Sequence, residues 1–220
     1  MKREEMALLL DHSVLKPETT EKEILDGAGL VRKWGIGFYC VQPSYVAFAT
    51  QTLQGSRGRV VSVIGFPHGC DRSTVMAQAA TLAVQDGAAE VDMVMNVGRL
   101  KSGRNQAVAG EIAEVVRAIP GIPVKVILET CLLTDEEKVA ACRLVQDSGA
   151  AFVKTSTGFN PGGGATLADV RLLRASVGAD FGVKAAGGIR TLEHALAMLT
   201  ASANRLGTSA SAAILTALPA

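Results

Sequence analysis

The sequence predicts an α/β chain closed into a single (β/α)8 TIM barrel over residues 1–220. Three observations predict it. Short apolar runs alternate with helical segments, the pattern of parallel strands joined by crossover helices. The runs come to eight, the number that closes into this barrel. Polar residues gather at the carboxyl ends of the runs, where barrels build their sites. An open doubly wound sheet is the runner-up, but Gly-x-Gly-x-x-Gly is absent after the first run.

The first run is Leu8-Leu9-Leu10, ending in Asp11-His12-Ser13. Thr20-x-x-Glu23 is a capping box, so a helix follows to about Trp34. Gly37 to Val41 is the second strand, stopped by Pro43, with a helix from Ser44 to about Leu53. Val60 to Ile64 is the third, and a helix starts at Ser73 and ends near Gly87. Glu90 to Asn96 is the fourth strand. Val91, Met93 and Met95 face one way, and Glu90, Asp92 and Asn96 the other. Gly98 to Gly103 is read as a loop before a helix from about Asn105 to Ile119. Pro123 to Leu128 is the fifth strand, with Lys125 and Glu129 sharing a face. Thr134-x-x-Glu137 caps the next helix. The sixth strand opens at Ala151 and the seventh at Phe181, with a helix from Thr166 to about Val177 between them. Thr191 starts a helix, Asn204 to Thr208 is the eighth strand, and Ser209-Ala210-Ser211 leads into a short last helix.

Composition narrows the class. The chain has 220 residues, 48% hydrophobic, enough for one domain with a large core. A net charge of +1 leaves no basic footprint for nucleic acid or an anionic membrane. The charged start, followed by few apolar residues, is too short for a membrane span or signal core. Cys40, Cys70, Cys131 and Cys142 lack metal spacing and read as reduced thiols of a cytoplasmic protein.

Chemistry concentrates in two stretches. Ala151-Phe152-Val153-Lys154 is a buried strand that ends in a lysine, followed by Thr155-Ser156-Thr157-Gly158. Phe181-Gly182-Val183-Lys184 repeats the pattern before Gly187-Gly188. As parallel neighbours about 5 Å apart, the strands bring both amines to one edge. Burial and mutual repulsion push one amine toward neutrality, and a neutral lysine forms imines with carbonyls. We assign Lys154 as nucleophile and Lys184 as the cation beside it, though periodicity alone does not choose between them. Lys125 is a rival, placed lower because it lies near the start of its strand. Asp92 is the carboxylate best placed to move protons for imine chemistry; Asn96 and Glu129 are weaker candidates. A purely charge-neutralising Asp92 is the bland alternative. The turns Gly187-Gly188 and Gly207-Thr208-Ser209, with donors from Thr155 to Gly158, fit a phosphate bound after strands seven and eight. His68 reads as a loop histidine satisfied by backbone, His194 as an exposed helix residue and Cys40 as a buried small residue.

Eight segments in order resemble the deoxyribose-phosphate aldolase family. They are Leu10-Asp11-His12-Ser13-x-Leu15-Lys16-Pro17, Cys40-Val41-x-Pro43, Ile64-Gly65-Phe66-Pro67-x-Gly69, Glu90 to Asn96, Leu100 to Gly103, Lys125 to Thr130, Val153 to Phe159 and Val183-Lys184-x-x-Gly187-Gly188-Ile189-Arg190. The resemblance implies a class I aldolase that reversibly cleaves 2-deoxy-D-ribose 5-phosphate to acetaldehyde and D-glyceraldehyde 3-phosphate. It implies that Lys154 forms the Schiff base, that Lys184 lowers its pKa and that Asp92 transfers protons. It places Gly158, Gly187, Gly188 and Ser209 at phosphate contacts, with Asp11 and Thr155 as further substrate contacts. It implies no metal or organic cofactor, small phosphorylated sugar and aldehyde substrates, and a homodimer. Ala210 replaces a common second serine, Phe159 a lysine of some members, and His68 and Ala186 commoner Leu and Ser. A C-terminal tyrosine found in some members has no counterpart. The alternatives are another lysine-imine barrel aldolase with a different donor, or a non-catalytic phosphate-binding barrel.

Overall fold

The computed structural model describes residues 1–219. Eight strands, β1 (Leu10–Val14), β2 (Phe38–Val41), β3 (Arg59–Ile64), β4 (Glu90–Val94), β5 (Val124–Ile127), β6 (Phe152–Lys154), β7 (Gly182–Ala186) and β8 (Arg205–Thr208), form a closed barrel in chain order. Each is parallel to the next, and β8 returns to β1 through Leu10↔Leu206 and Asp11↔Gly207. Closure leaves no strand edge unpaired.

The outer layer holds α1 (Arg3–Leu9), α2 (Glu21–Trp34), α3 (Val46–Thr52), α4 (Ser73–Gln85), α5 (Val97–Lys101), α6 (Asn105–Ala118), α7 (Asp135–Asp147), α8 (Leu167–Val177), α9 (Leu192–Thr200) and α10 (Ser211–Thr216). Their starts follow local chemistry. The Thr20 and Thr134 hydroxyls accept from the Glu23 and Glu137 amides, and both glutamates return the bond to the cap amide. Thr166 and Thr191 cap α8 and α9 alone. Among the described residues no helix is long and apolar enough to cross a membrane.

Four boundaries differ from the sequence expectation, and three of them move a candidate residue. Leu8 and Leu9 belong to α1, whose Glu5 side chain accepts from the Lys2 amide at 2.7 Å. The strand therefore starts at Leu10 and carries Asp11, His12 and Ser13 within it. Strand β4 ends at Val94, and the Asn96 side chain accepts from the Arg99 amide at 3.0 Å. That cap turns the expected Gly98–Gly103 loop into α5 and takes Asn96 off the face of Asp92. Strand β5 ends at Ile127, so Glu129, at φ 56, leaves the face of Lys125. After β2, Pro43–Tyr45 makes one 3-10 turn before α3 instead of a helix starting at Ser44.

The main core packs the outward strand faces against the helices, where Tyr39, Val91, Met93, Val126, Val153 and Leu206 meet Ile24, Val108, Ile112, Val170 and Ile214. A smaller cluster, Phe38, Cys40, Val61 and Val63, fills the β2–β3 side of the barrel interior. Buried charged side chains gather on the opposite side, contributed by β1 and by β4 to β8. That asymmetry makes one side of the barrel an apolar wall and the other a site.

Candidate active site

Inward parity places seven charged side chains inside the barrel: Asp11 on β1, Glu90 and Asp92 on β4, Lys125 on β5, Lys154 on β6, Lys184 on β7 and Arg205 on β8. All are at least nine-tenths buried. Register aligns them, with Asp92 beside Lys125, Lys154 beside Lys184, and Lys184 beside Arg205. Ions removed from water need partners, and these partners form a closed ring. Asp92 Oδ1 meets Lys125 at 2.7 Å, and Lys125 meets Glu90 at 2.6 Å. Glu90 meets Arg205 at 2.9 Å, and Arg205 meets Asp11 at 3.0 Å. Asp11 pairs with Lys184, which returns to Asp92 Oδ2 at 2.7 Å. Three carboxylates alternate with three cations.

Lys154 stands outside that ring. Its Nζ has one carboxylate partner, Asp92 Oδ2 at 2.8 Å, the same oxygen that holds Lys184. Each ring cation has two. Burial lowers the Lys154 pKa, the attraction of Asp92 opposes it, and repulsion by Lys184 adds to the fall; the net shift is downward. Burial also disfavours charge on Lys184, but Asp11 and Asp92 outweigh it, and its pKa rises. Burial raises Asp92, and the fields of Lys125, Lys154 and Lys184 reverse this, leaving it well below the usual carboxylate range. The arrangement therefore sets an amine whose charged form is disfavoured beside a firmly charged one across a shared oxygen.

A cleft of about 590 Å³ opens above the barrel, and of the seven charged groups only Lys154 lines it. Thr157, Gly158, Gly187, Gly188, Gly207, Thr208 and Ser209 line it too, so four expected phosphate positions converge there. Gly158, Gly187 and Gly188 all have positive φ. A Cβ on Gly187 would lie 2.9 Å from Gly164 Cα, so these loops meet backbone to backbone. The Thr208 hydroxyl donates to the Ile189 carbonyl at 2.6 Å and ties the two turns together. Glu129 accepts from the Thr157 amide and hydroxyl, fixing the loop that carries Gly158.

Two residues expected at substrate contacts do not line the cleft and are bonded within the protein. Asp11 does not line the cleft; its oxygens are held by Lys184 and Arg205, below it. Thr155 is fully buried, and its hydroxyl bonds both the amide and the carbonyl of Ala186 at 3.1 Å, joining β6 to β7. Lys125, expected at the stability end, is bonded directly to Asp92. His68 is exposed and outside the cleft. His194 is half-buried, with Nδ1 3.2 Å from the Gly188 carbonyl. Cys40 is buried inside the barrel, where burial pushes its thiol up to about 11.

Sequence reasoning passed over Glu90, Arg205 and His12 as site residues. The parity of β4 already grouped Glu90 with Asp92. Nothing local marked Arg205 or His12. His12 lines the cleft beside Ser13, stacks on Tyr39 with centroids 6.0 Å apart, and has Nδ1 3.1 Å from the Ser211 hydroxyl. Burial pushes its imidazole down to about 4. The folded value is below the unfolded one, so the unfolded chain takes the proton first. The stability linked to His12 is complete above roughly pH 6.5 and falls away toward pH 4. Urea unfolding at pH 7 and pH 5 should show wild type losing about 2 kcal/mol more than His12→Gln. Equal losses would mean that this histidine is not buried neutral.

The family model for DeoC/LacD family aldolases matches residues 5–215. A Streptococcus sanguinis protein named deoxyribose-phosphate aldolase is 52% identical over 94% of this chain and 93% of its own. A solved structure titled QR15, an aldolase, superposes with a TM-score of 0.92 at 40% identity, covering 96% of this chain and 94% of that one. The Aeropyrum pernix deoxyribose phosphate aldolase, described as tetrameric, gives 0.89 at 29% identity, with 97% and 91% covered.

Proposed function

The chain belongs to the DeoC/LacD aldolase family and carries out the deoxyribose-phosphate aldolase reaction, and we propose that it does so through an imine on Lys154, with Lys184 and Asp92 moving protons. One observation carries this reading: Lys154 is the single amine outside a charge-balanced ring, and it alone of the seven opens on the cleft.

The neutral Lys154 amine adds to the C1 aldehyde of ring-opened 2-deoxyribose 5-phosphate. The carbinolamine loses its hydroxyl as water, taking one proton, and leaves an iminium. Deprotonation of the C3 hydroxyl breaks C2–C3, and the electron pair flows into the iminium to give an enamine. D-Glyceraldehyde 3-phosphate departs. Protonation of the enamine carbon and hydrolysis release acetaldehyde and restore the amine. Asp92 Oδ2 touches both Lys154 and Lys184, so it can pass protons between the reacting nitrogen and a cation that stays charged. The carboxylate itself stores none at neutral pH; its depressed pKa makes it a relay, with Lys184 as the reservoir.

Gly158, Gly187, Gly188 and Ser209 take the phosphate in this reading, through backbone donors and the Ser209 hydroxyl. Ala210 supplies no hydroxyl there, and Phe159 supplies an aromatic edge packed on Phe66 at 5.2 Å where a cation would bind anions. The single catalytic domain expected over residues 1–220, a cytoplasmic location and self-association complete the proposal. Four free cysteines support the location, and the tetramer described for the Aeropyrum protein supports assembly without fixing a dimer.

The test is reductive trapping. Acetaldehyde with borohydride should leave a two-carbon mark on Lys154, mapped by mass spectrometry, and a donor screen should single out acetaldehyde with glyceraldehyde 3-phosphate. A mark on Lys125 or Lys184 instead would overturn the assignment. Replacing Lys184 with Leu should raise the pKa of the nucleophile and move the pH–rate inflection to higher pH. A profile unchanged from wild type would remove Lys184 from its role.

A further inference from the structure

We propose that Glu90, Lys125 and Arg205 are positioning residues that set the protonation of Lys154 from beneath the cleft, by closing the ring of alternating charge. None of the three lines the cleft, and none bonds Lys154. Their hydrogen-bond and ion-pair partners are one another, Asp92 and Asp11. Phe38 and Phe152 underlie them: the Arg205 guanidinium carbon is 3.5 Å from the Phe38 ring centre, and Lys125 Nζ is 5.9 Å from that of Phe152. The three side chains are at least nine-tenths buried against these rings, so charge imbalance in the network is weakly screened.

The sign follows from counting. Glu90, Asp92 and Asp11 offset Lys125, Arg205 and Lys184, so the closed ring carries no net charge. A proton on Lys154 makes the whole interior positive, and that excess favours its loss. Of the remaining strands, β2 brings Cys40, whose thiol burial holds neutral, and β3 brings Val61 and Val63; Arg59, at the start of β3, is exposed, with its guanidinium carbon 4.5 Å from the centre of the Phe38 ring, so its charge is screened by solvent. Remove a ring cation and the ring becomes negative. The extra proton then goes to the most basic free site, which is the Lys154 amine and not a carboxylate. Lys154 stays charged at neutral pH, and the nucleophile is lost without any contact to substrate being touched.

This rests on Lys154 being the imine-forming residue, so two readouts are taken on the full chain. One is kcat/KM for 2-deoxyribose 5-phosphate against pH, whose inflection reports the free enzyme. The other is the acetaldehyde–borohydride mark on Lys154 against pH. Lys125→Met and Arg205→Met open the ring at different points. Each should move both inflections to higher pH by about one unit or more, with roughly tenfold less activity at pH 7. The double variant Lys125→Met/Glu90→Gln removes one charge of each sign and should return the inflection toward wild type, and should be faster at pH 7 than Lys125→Met alone. A merely structural role predicts the opposite, a double variant no better than the single. An inflection unmoved in either soluble opening, or a double variant that keeps the full shift, overturns the proposal. Wild type marked on Lys154 with unshifted variants sinks this inference alone; wild type unmarked on Lys154 sinks the mechanism beneath it.

Discussion

Lys154→Met should abolish turnover and leave the fold in place. In the proposed mechanism the residue forms a covalent bond to the substrate, and no neighbour can take over. Lys184 is held charged between Asp11 and Asp92, and Lys125 is held between Glu90 and Asp92 below the cleft. Loss of a covalent nucleophile costs about 10⁴-fold or more in kcat. Stability should behave differently. Most buried ion pairs are costly to break because the remaining charge is stranded. Here Asp92 keeps Lys125 and Lys184 after the substitution, so the ring stays closed and no charge is orphaned. Methionine fills the space of a lysine stem that is 3% exposed. The unfolding free energy from urea titration should therefore stay within about 1 kcal/mol of wild type. Release of acetaldehyde at more than a hundredth of the wild-type rate would move the nucleophile elsewhere. A large loss of stability would show that Lys154 belongs to the ring after all.

What the sequence disclosed divides along the range of the interactions involved. The lysines of β6 and β7 were legible because a charge at the end of a buried strand is an anomaly, and anomalies survive without a structure. Asp92 was legible from the alternation of β4, which also grouped Glu90 with it. The barrel itself followed from counting strands and capped helices. Asp11 was assigned to the substrate through family resemblance, yet it lies a layer deeper. Its place depends on where the run Leu8-Leu9-Leu10 changes from helix to strand. That break is fixed by burial of Met6 and Ala7 and by the Gly37 amide donating to the Ala7 carbonyl at 2.9 Å, both tertiary facts. Arg205 needed the barrel to close, since only the pairing of β8 with β1 brings it to Asp11. His12 meets Ser211 from the far end of the chain. Asn96 and Glu129 were misread because alternation was extended past strand ends that a side-chain cap and a left-handed residue had already set. The family match places Thr155 at a substrate contact; what the sequence does not show is that its hydroxyl bonds both backbone groups of Ala186 and braces β6 to β7.

Asp92→Asn should separate imine formation from the proton transfers that follow it. Asp92 is the one residue bonded to three amines: Lys125 on one oxygen, Lys154 and Lys184 on the other. An asparagine keeps the shape but not the charge, and its amide nitrogen presents hydrogens to at least one ammonium. The ring would then hold two carboxylates against three cations, and a stranded buried charge costs about 3–5 kcal/mol. Urea unfolding should register a loss of that order, larger than for any exposed ion pair such as Lys22–Asp26. The chemistry should divide in a diagnostic way. Lys154 loses its only carboxylate partner, so its pKa falls further and its neutral form is favoured. Acetaldehyde and borohydride should still mark it. Proton delivery from Lys184 through the shared oxygen is gone, so turnover should fall by about 10²–10⁴-fold. Exchange of the acetaldehyde methyl hydrogens with deuterated water, which reports enamine formation and reprotonation, should fall with it. Trapping lost along with turnover would make Asp92 a structural anchor for the nucleophile. Exchange preserved at the wild-type rate would place the proton-transfer group somewhere other than residue 92.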